Sequence, residues 1–215
     1  SRFRVSRLLD QARDEGIVRI QIIKPAIAAV ETEEQLEERF GLQRAIVIKT
    51  ASQSEAAIKE AIGQAAARCL ADILKDGDVL GIAWGSTVNE VVKALPAKLD
   101  VDIKVVQVTG GLDQMAIDVN AIDLTRRVAR VCSAEYYLLH APAMVSSPAV
   151  RQALLSDNGI KKTFAMFDKV NVALVGIGAL SPDIISTYST YYRAGYIQDD
   201  DLEILSRNGV VGDIF

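Results

Sequence analysis

From residue 45 onward the chain alternates between two hydrophobic patterns. One is a short, unbroken apolar run rich in β-branched residues: AIVIK at 45–49, VLGIAW at 79–84, KVVQVTG at 104–110, YYLLH at 136–140 and VALVGIG at 172–178. The other has helical period, over roughly 53–75, 87–95, 119–133, 148–168 and 199–207. An unbroken apolar run suits a strand buried on both faces, whereas a sheet with one wet face shows alternation. Such strands separated by helices predict a doubly wound α/β domain with a mostly parallel sheet covered on both sides. No internal repeat or low-complexity linker interrupts the pattern.

The first 41 residues read differently. Val5, Leu8, Leu9 and Ala12 fall at helical spacing with arginines on the other face, and Gly16 is a natural stop. IVRIQII at 17–23 then alternates apolar and polar positions as a half-buried strand does. A basic helix, a tight turn and a strand match the tail of a winged helix-turn-helix, whose recognition helix enters the DNA major groove. On that reading Arg2, Arg4 and Arg7 face DNA; the same pattern also fits an ordinary solvated amphipathic helix. ETEEQLEERF at 31–40 predicts an acidic connector helix ending at Gly41. The expected organisation is therefore the end of a DNA-binding domain (1–25), a connector (26–42) and an α/β domain (43–215). The chain begins partway into the headpiece pattern and stops at GVVGDIF in mid-pattern, as a fragment cut at both ends would.

Composition narrows the picture. Of the 215 residues, 50% are hydrophobic and 24% charged, a globular balance. No apolar run approaches the ~18 residues of a membrane span, and no signal-peptide core opens the chain, so a cytoplasmic protein is expected. Net charge is −4 but uneven. Residues 1–24 hold six basic and three acidic side chains, +3, whereas the remainder holds 18 and 25, −7. Cys69 and Cys132 both sit among small and apolar helical neighbours, which fits buried reduced thiols better than a disulfide or a metal pair. His140 is the only histidine. That excludes a zinc site built of histidines and leaves no supported Ser–His pair. No metal or cofactor is expected.

Candidate chemistry gathers where the predicted strands end. In parallel sheets, ligands bind at the carboxyl ends of strands near a switch in strand order. Three strands here run into small residues: Gly85-Ser86-Thr87, Thr109-Gly110-Gly111-Leu112, and Gly176-Ile177-Gly178 followed by Ala-Leu. Glycine admits a ligand close to the backbone, and hydroxyls with free amides at a helix start suit a phosphate or oxyanion. Taken singly, such a glycine makes a turn and such a hydroxyl caps a helix; three on one edge point to a small-molecule site. Gly176-Ile177-Gly178 comes too late and lacks the third glycine of a dinucleotide fingerprint, and no G-x-x-x-x-G-K-[ST] loop occurs. A phosphorylated or polyhydroxy small molecule is the remaining fit.

Seven segments in order carry a family resemblance: VSRLLDQARDEGIVRIQI, EEQLEERFGL, GIAWGSTVNEV, VVQVTGGL, YYLLHAPAMV, VALVGIGAL and GVVGDIF. Together they resemble the SorC (SorC/DeoR-type) bacterial sugar-responsive transcription regulators over nearly the whole chain. The resemblance implies a winged helix-turn-helix, of which the last helix and wing remain here. It also implies an effector domain folded like sugar-phosphate isomerases and deaminases. The partners implied are operator DNA and a sugar or phosphosugar effector, with assembly into homodimers or homotetramers and no membrane.

Carried over by matching segments, the implied effector site comprises Gly85, Ser86, Thr87, Thr109, Gly110, Gly111, Asn120, Gly176, Gly178 and Asp213. Asp213 would accept hydrogen bonds from sugar hydroxyls. The chain departs from the family pattern at Thr109, where some relatives have a basic residue, and in lacking the family's C-terminal glycine-rich loop and lysine. Plainer readings stand beside these: Asp213 as a turn cap, Trp84 as core, Arg193 as a solvated cation. Tyr188, Tyr191, Tyr192 and Tyr196 read as packing or oligomer surface. An active isomerase or deaminase is the alternative function, but catalysis needs a positioned acid and base; only Asp113 and the isolated His140 are at hand. A pure oligomerisation domain is the third reading.

Overall fold

The computed structural model describes residues 5, 7, 27–50, 54–112, 119–179, 190–193, 195–210 and 212–214. The chain divides into two compact units, Ser1–Ala51 and Ser52–Phe215. In the first, Val5 and Arg7 have helical backbone and both are exposed; Arg2 and Arg4 lie outside the described residues. Strand β1 (Ile27–Ala28) leads into helix α1 (Val30–Phe40), which stops at Gly41 in the left-handed conformation. Strand β2 (Ile48–Lys49) pairs antiparallel with β1, Ile27 opposite Lys49.

That pairing corrects one expectation. The run at 45–49 does not enter the parallel sheet of the second unit. Its backbone donors are already taken, because the N–H groups of Ala45 and Val47 donate to the carboxylates of Glu37 and Glu33, each at 2.7 Å. Carboxylates of an acidic helix face thus accept from the start of this segment, while its end pairs with β1.

The second unit is the α/β domain. Helix α2 (Glu55–Ile73) precedes β3 (Val79–Ile82), α3 (Ser86–Ala94), β4 (Lys104–Gln107), α4 (Ala121–Cys132) and β5 (Glu135–Tyr137). Helices α5 (Pro148–Ser156) and α6 (Asn158–Phe167) then lead to β6 (Val172–Leu174) and β7 (Ile177–Ala179), and α7 (Thr190–Arg193), α8 (Asp199–Arg207) and β8 (Gly212–Ile214) follow. Four strands form a parallel sheet in the order β5-β4-β3-β6.

Strand alternation divides the core between the two faces. Leu80, Ile82 and Val105 pack with Leu70 of α2, Val88 and Val91 of α3, and Leu124, Val128 and Cys132 of α4. Val79 and Val106 meet Met166 of α6 on the opposite side, with Val108, Phe167 and Val170 around them. Both faces are therefore covered, which is why the strands read as unbroken apolar runs. Helix α4 shows the complementary logic: Ala121, Leu124, Thr125, Val128, Ala129 and Cys132 are buried on one stripe while Arg126 and Arg130 are exposed. Truncating a fully buried residue such as Leu124 to alanine costs about 2–5 kcal/mol in comparable cores.

Two strands end earlier than their apolar runs. β5 stops at Tyr137 because the Gln107 side chain takes over the backbone of Leu139: the Leu139 N–H donates to Gln107 Oε1 (3.1 Å) and Gln107 Nε2 donates to Leu139 O (3.3 Å). The run at 172–178 splits after Leu174. The last rung is the Ala83 N–H donating to Leu174 O at 3.1 Å. Beyond it β7 pairs antiparallel with β8, placing Gly178 opposite Asp213.

Candidate functional site

The sheet order creates a switch point. From β3 the chain winds outward through β4 to β5, then returns to place β6 on the other side of β3. The carboxyl end of β3 thus lies where strand order reverses, the position at which open parallel sheets bind ligands.

β3 delivers the chain to that position through a buried plug. Ala83 and Trp84 are almost fully buried, and the Trp84 ring meets Tyr191 edge-on at 5.6 Å, so Trp84 belongs to the core. The chain then turns at Gly85, with φ at +144°, a conformation L side chains avoid. Helix α3 begins at the next residue, and its first internal bond runs from the Asn89 N–H to Gly85 O (2.9 Å). Gly85 offers no capping side chain and the first turn carries no acid. The N–H groups of Ser86, Thr87 and Val88 consequently find no partner among the described residues. Ser86 is exposed and Thr87 half-buried, so both hydroxyls can be reached by solvent. Unpaired amides, the positive end of the helix dipole and two hydroxyls make this turn suited to an anion.

Two other expected residues, Asn120 and Gly176, lie beside it. The Gly85 N–H donates to Val119 O at 3.3 Å, which brings the start of α4 alongside. Asn120 caps that helix, its Oδ1 accepting from the Ile122 N–H at 2.9 Å. Gly176 lies against Val88: a Cβ built on it would stand 3.7 Å from Val88 Cγ2. Gly178 and Asp213 face each other across β7 and β8.

The Thr109–Gly111 loop has a different neighbourhood. Gly111 bridges to Pro142, with the Gly111 N–H donating to Ala141 O (3.0 Å) and the Ala143 N–H to Gly111 O (2.8 Å). Gln107 Nε2 also donates to Thr109 O at 2.7 Å. A Cβ on Gly110 would stand 2.5 Å from the Pro142 carbonyl and the Ala143 nitrogen. Glycine is required there so that two loops can touch, a role distinct from ligand approach. Thr109 and Gly110 line a cavity of about 380 Å³ together with Leu139, Ala141–Ala143 and parts of α5 and α6. Gly85–Thr87 do not line it.

Two polar groups near the α3 turn were not singled out by sequence. Asn89, buried in the first turn of α3, accepts a hydrogen bond from Arg127 Nη1 of α4 at 2.8 Å, and Arg127 also lies 3.6 Å from Asp123. A guanidinium is thereby fixed close to the first turn of α3. Its only trace in the sequence is an asparagine interrupting the apolar face of α3. His140 is exposed, Asp113 lies outside the described residues, and no group of three potential metal ligands occurs among the described residues. Burial raises the Cys132 thiol above its ordinary 9.0, and both cysteines are free thiols. No described helix is long and apolar enough to cross a membrane.

Comparison with known proteins places this geometry. The family described as "Putative sugar-binding domain" matches residues 24–215. The Sorbitol operon regulator of Klebsiella pneumoniae is 31% identical over 214 residues, covering 98% of this chain and 66% of that protein. The Deoxyribonucleoside regulator of Bacillus subtilis (strain 168) is 26% identical over 214 residues, covering 100% of this chain and 66% of that one. The chain therefore spans just under two thirds of the length of these relatives. Among solved structures, the full-length Sorbitol Operon Regulator SorC from Klebsiella pneumoniae superposes with a TM-score of 0.80 at 29% identity, covering 99% of this chain and 68% of that one. A DeoR family transcriptional regulator from Listeria monocytogenes gives 0.73 at 27% identity, covering 86% and 70%. With the model match spanning the entire α/β unit, the chain belongs to the sugar-binding domain family found in SorC- and DeoR-type transcription regulators.

Proposed function

We propose that this chain is the effector-sensing part of a bacterial transcription regulator whose α/β unit binds a sugar or phosphosugar and thereby changes operator binding. The observation that supports it most is the open first turn of α3 at the switch point of the sheet. In this reading a phosphate, or the most acidic edge of an unphosphorylated sugar, accepts from the amides and hydroxyls of Ser86 and Thr87. The backbones of Gly85 and Gly176 leave room for it, Asn120 and Gly178 flank it, and Asp213 accepts from sugar hydroxyls. Thr109, Gly110 and Gly111 form the second wall. Arg2, Arg4 and Arg7 meet DNA phosphates as part of a larger headpiece, and the regulator works as a homodimer or homotetramer, free of membranes and cofactors. It is a binding protein and not an enzyme.

The experiment is a thermal-shift panel of sugars and sugar phosphates. A ligand at 100 times its dissociation constant stabilises a single site by about 2.7 kcal/mol. At least one sugar phosphate should raise the melting temperature by several degrees. A panel in which no sugar and no sugar phosphate shifts it contradicts the reading and favours a domain that only assembles. Steady turnover of a sugar phosphate, lost in Asp113→Asn, favours the isomerase alternative.

A further inference from the structure

The side chains around the cavity beside the Thr109–Gly111 loop are mostly apolar. Its walls are Val108, Leu139, Val145, Leu154, Ile160 and Phe167, with other apolar residues between them. The polar side chains in the lining are Thr109, Arg151 and Tyr191. Arg151 is exposed and so marks the solvent edge; it forms no ion pair among the described residues. The Thr109 Oγ1 is buried and has no hydrogen-bond partner among the described residues. Phe164 in the lining is itself partly exposed, at 38%.

The cavity is also preformed. Gln107 ties Thr109 to Leu139, Gly110 and Gly111 lock onto Pro142 and Ala143, and Asp157 caps α6 through the N–H groups of Gly159 and Ile160. At about 380 Å³ it falls within the range of small-molecule pockets, about 300–1,000 Å³.

We propose that this cavity is a second ligand site, separate from the Gly85–Thr87 turn, for a small amphipathic anion whose apolar body fills the cavity and whose carboxylate meets Arg151. Its ligand class is the medium-chain or aromatic monocarboxylate. A guanidinium at the mouth pairs with a carboxylate in fork geometry, and the interior rewards apolar surface at roughly 25 cal/mol per Å² buried. Thr109 Oγ1 is the inner polar group, able to donate to an oxygen on a substituted acid. The site shares Thr109 and Gly110 with the second wall of the effector cleft, yet it does not depend on the effector reading.

The test uses octanoate and its neutral counterpart 1-octanol in calorimetric titrations of the whole chain. Octanoate should bind saturably, one per chain, and about tenfold or more tighter than 1-octanol, the scale of a hydrogen bond to a charged group. Arg151→Gln, at an exposed position, should bring octanoate down to the affinity of octanol. Val145→Trp, in a loop, and Leu154→Trp, on α5, should each abolish binding while the far-ultraviolet spectrum and the melting transition show a folded protein. Absence of saturable octanoate binding overturns the proposal. So does octanoate that binds no better than octanol, or binding that survives both tryptophan variants. Self-association that the tryptophan variants disrupt, without octanoate binding, assigns the face to a second copy and also overturns it. Sugar phosphates are titrated separately, so either site can fail alone.

Discussion

Gly85 carries more consequence than any other single residue in the α/β unit. Its φ of +144° lets β3 turn straight into α3 without a capping side chain, leaving the first amides of the helix without a partner among the described residues. A serine or aspartate at that position is the usual side chain that caps such amides. The glycine–hydroxyl turn was legible in the sequence because it follows an apolar run and opens a helical pattern. Asn89 and Arg127 were not, because their hydrogen bond joins residues 38 apart on two helices and no local period announces it. Burial of the two cysteines follows from their small, apolar neighbours, and the structure orders them: Cys132 is buried and Cys69 intermediate. Because burial raises the Cys132 thiol above 9.0, the folded state holds a proton that the unfolded chain gives up. Its contribution to stability is complete below pH 9 and is lost as pH climbs through the raised folded value. Urea unfolding between pH 7 and pH 10.5 should show stability falling above pH 9. Cys132→Ala, less stable throughout, should fall less steeply; identical slopes in both proteins would refute the assignment.

At the scale of elements, the helical patterns were read more reliably than the ends of the strands. The expected helices at 53–75, 87–95, 119–133 and 199–207 appear as α2, α3, α4 and α8 within about two residues at each end; a buried stripe fixes the first three. Strand ends depend on what lies across the sheet. Gln107 shortens β5, and the exit of β3 into Trp84 and Gly85 ends its ladder with β6 at Leu174. The apolar run at 45–49 predicts a strand of the main sheet; it pairs with β1 instead, and carboxylates of α1, invisible in the hydrophobic period, accept from its N–H groups. The contact between the Thr109–Gly111 loop and Pro142–Ala143 is a junction that a single change would disturb. Gly110→Ala introduces a Cβ 2.5 Å from backbone atoms, so the loops must part. Overpacking of this kind costs about 1–3 kcal/mol, read as a lower urea midpoint. An unchanged midpoint would show that the junction yields freely.

For the whole molecule, the chain's charge division matters more than its total. The first 24 residues are net +3 and the rest −7, and the break between compact units falls after Ala51. In a protein that carries a complete headpiece ahead of this chain, operator affinity should fall steeply with salt, because each neutralised phosphate contributes about −0.9 to the slope of log K against log salt. Arg4→Ala with Arg7→Ala should weaken binding at low salt and flatten that slope by roughly 2. A double variant with the same affinity and slope would remove these arginines from the DNA contact. The doubly wound architecture was legible throughout, from continuous apolar strands; the strand order that makes the end of β3 a switch point became visible only in three dimensions.

The central claim is that the effector's anionic group rests on the first turn of α3. Its most direct test is calorimetric titration of wild-type and Thr87→Val protein with the sugar phosphate that stabilises the chain most in the thermal panel. Valine keeps the shape of threonine and removes one donor, and a hydrogen bond to a charged group contributes about 1.5–3 kcal/mol. Affinity should drop about 10- to 150-fold, with melting temperature in the absence of ligand unchanged within a degree or so. Equal affinity in the two proteins would contradict the account and move the anion away from Gly85, Ser86 and Thr87.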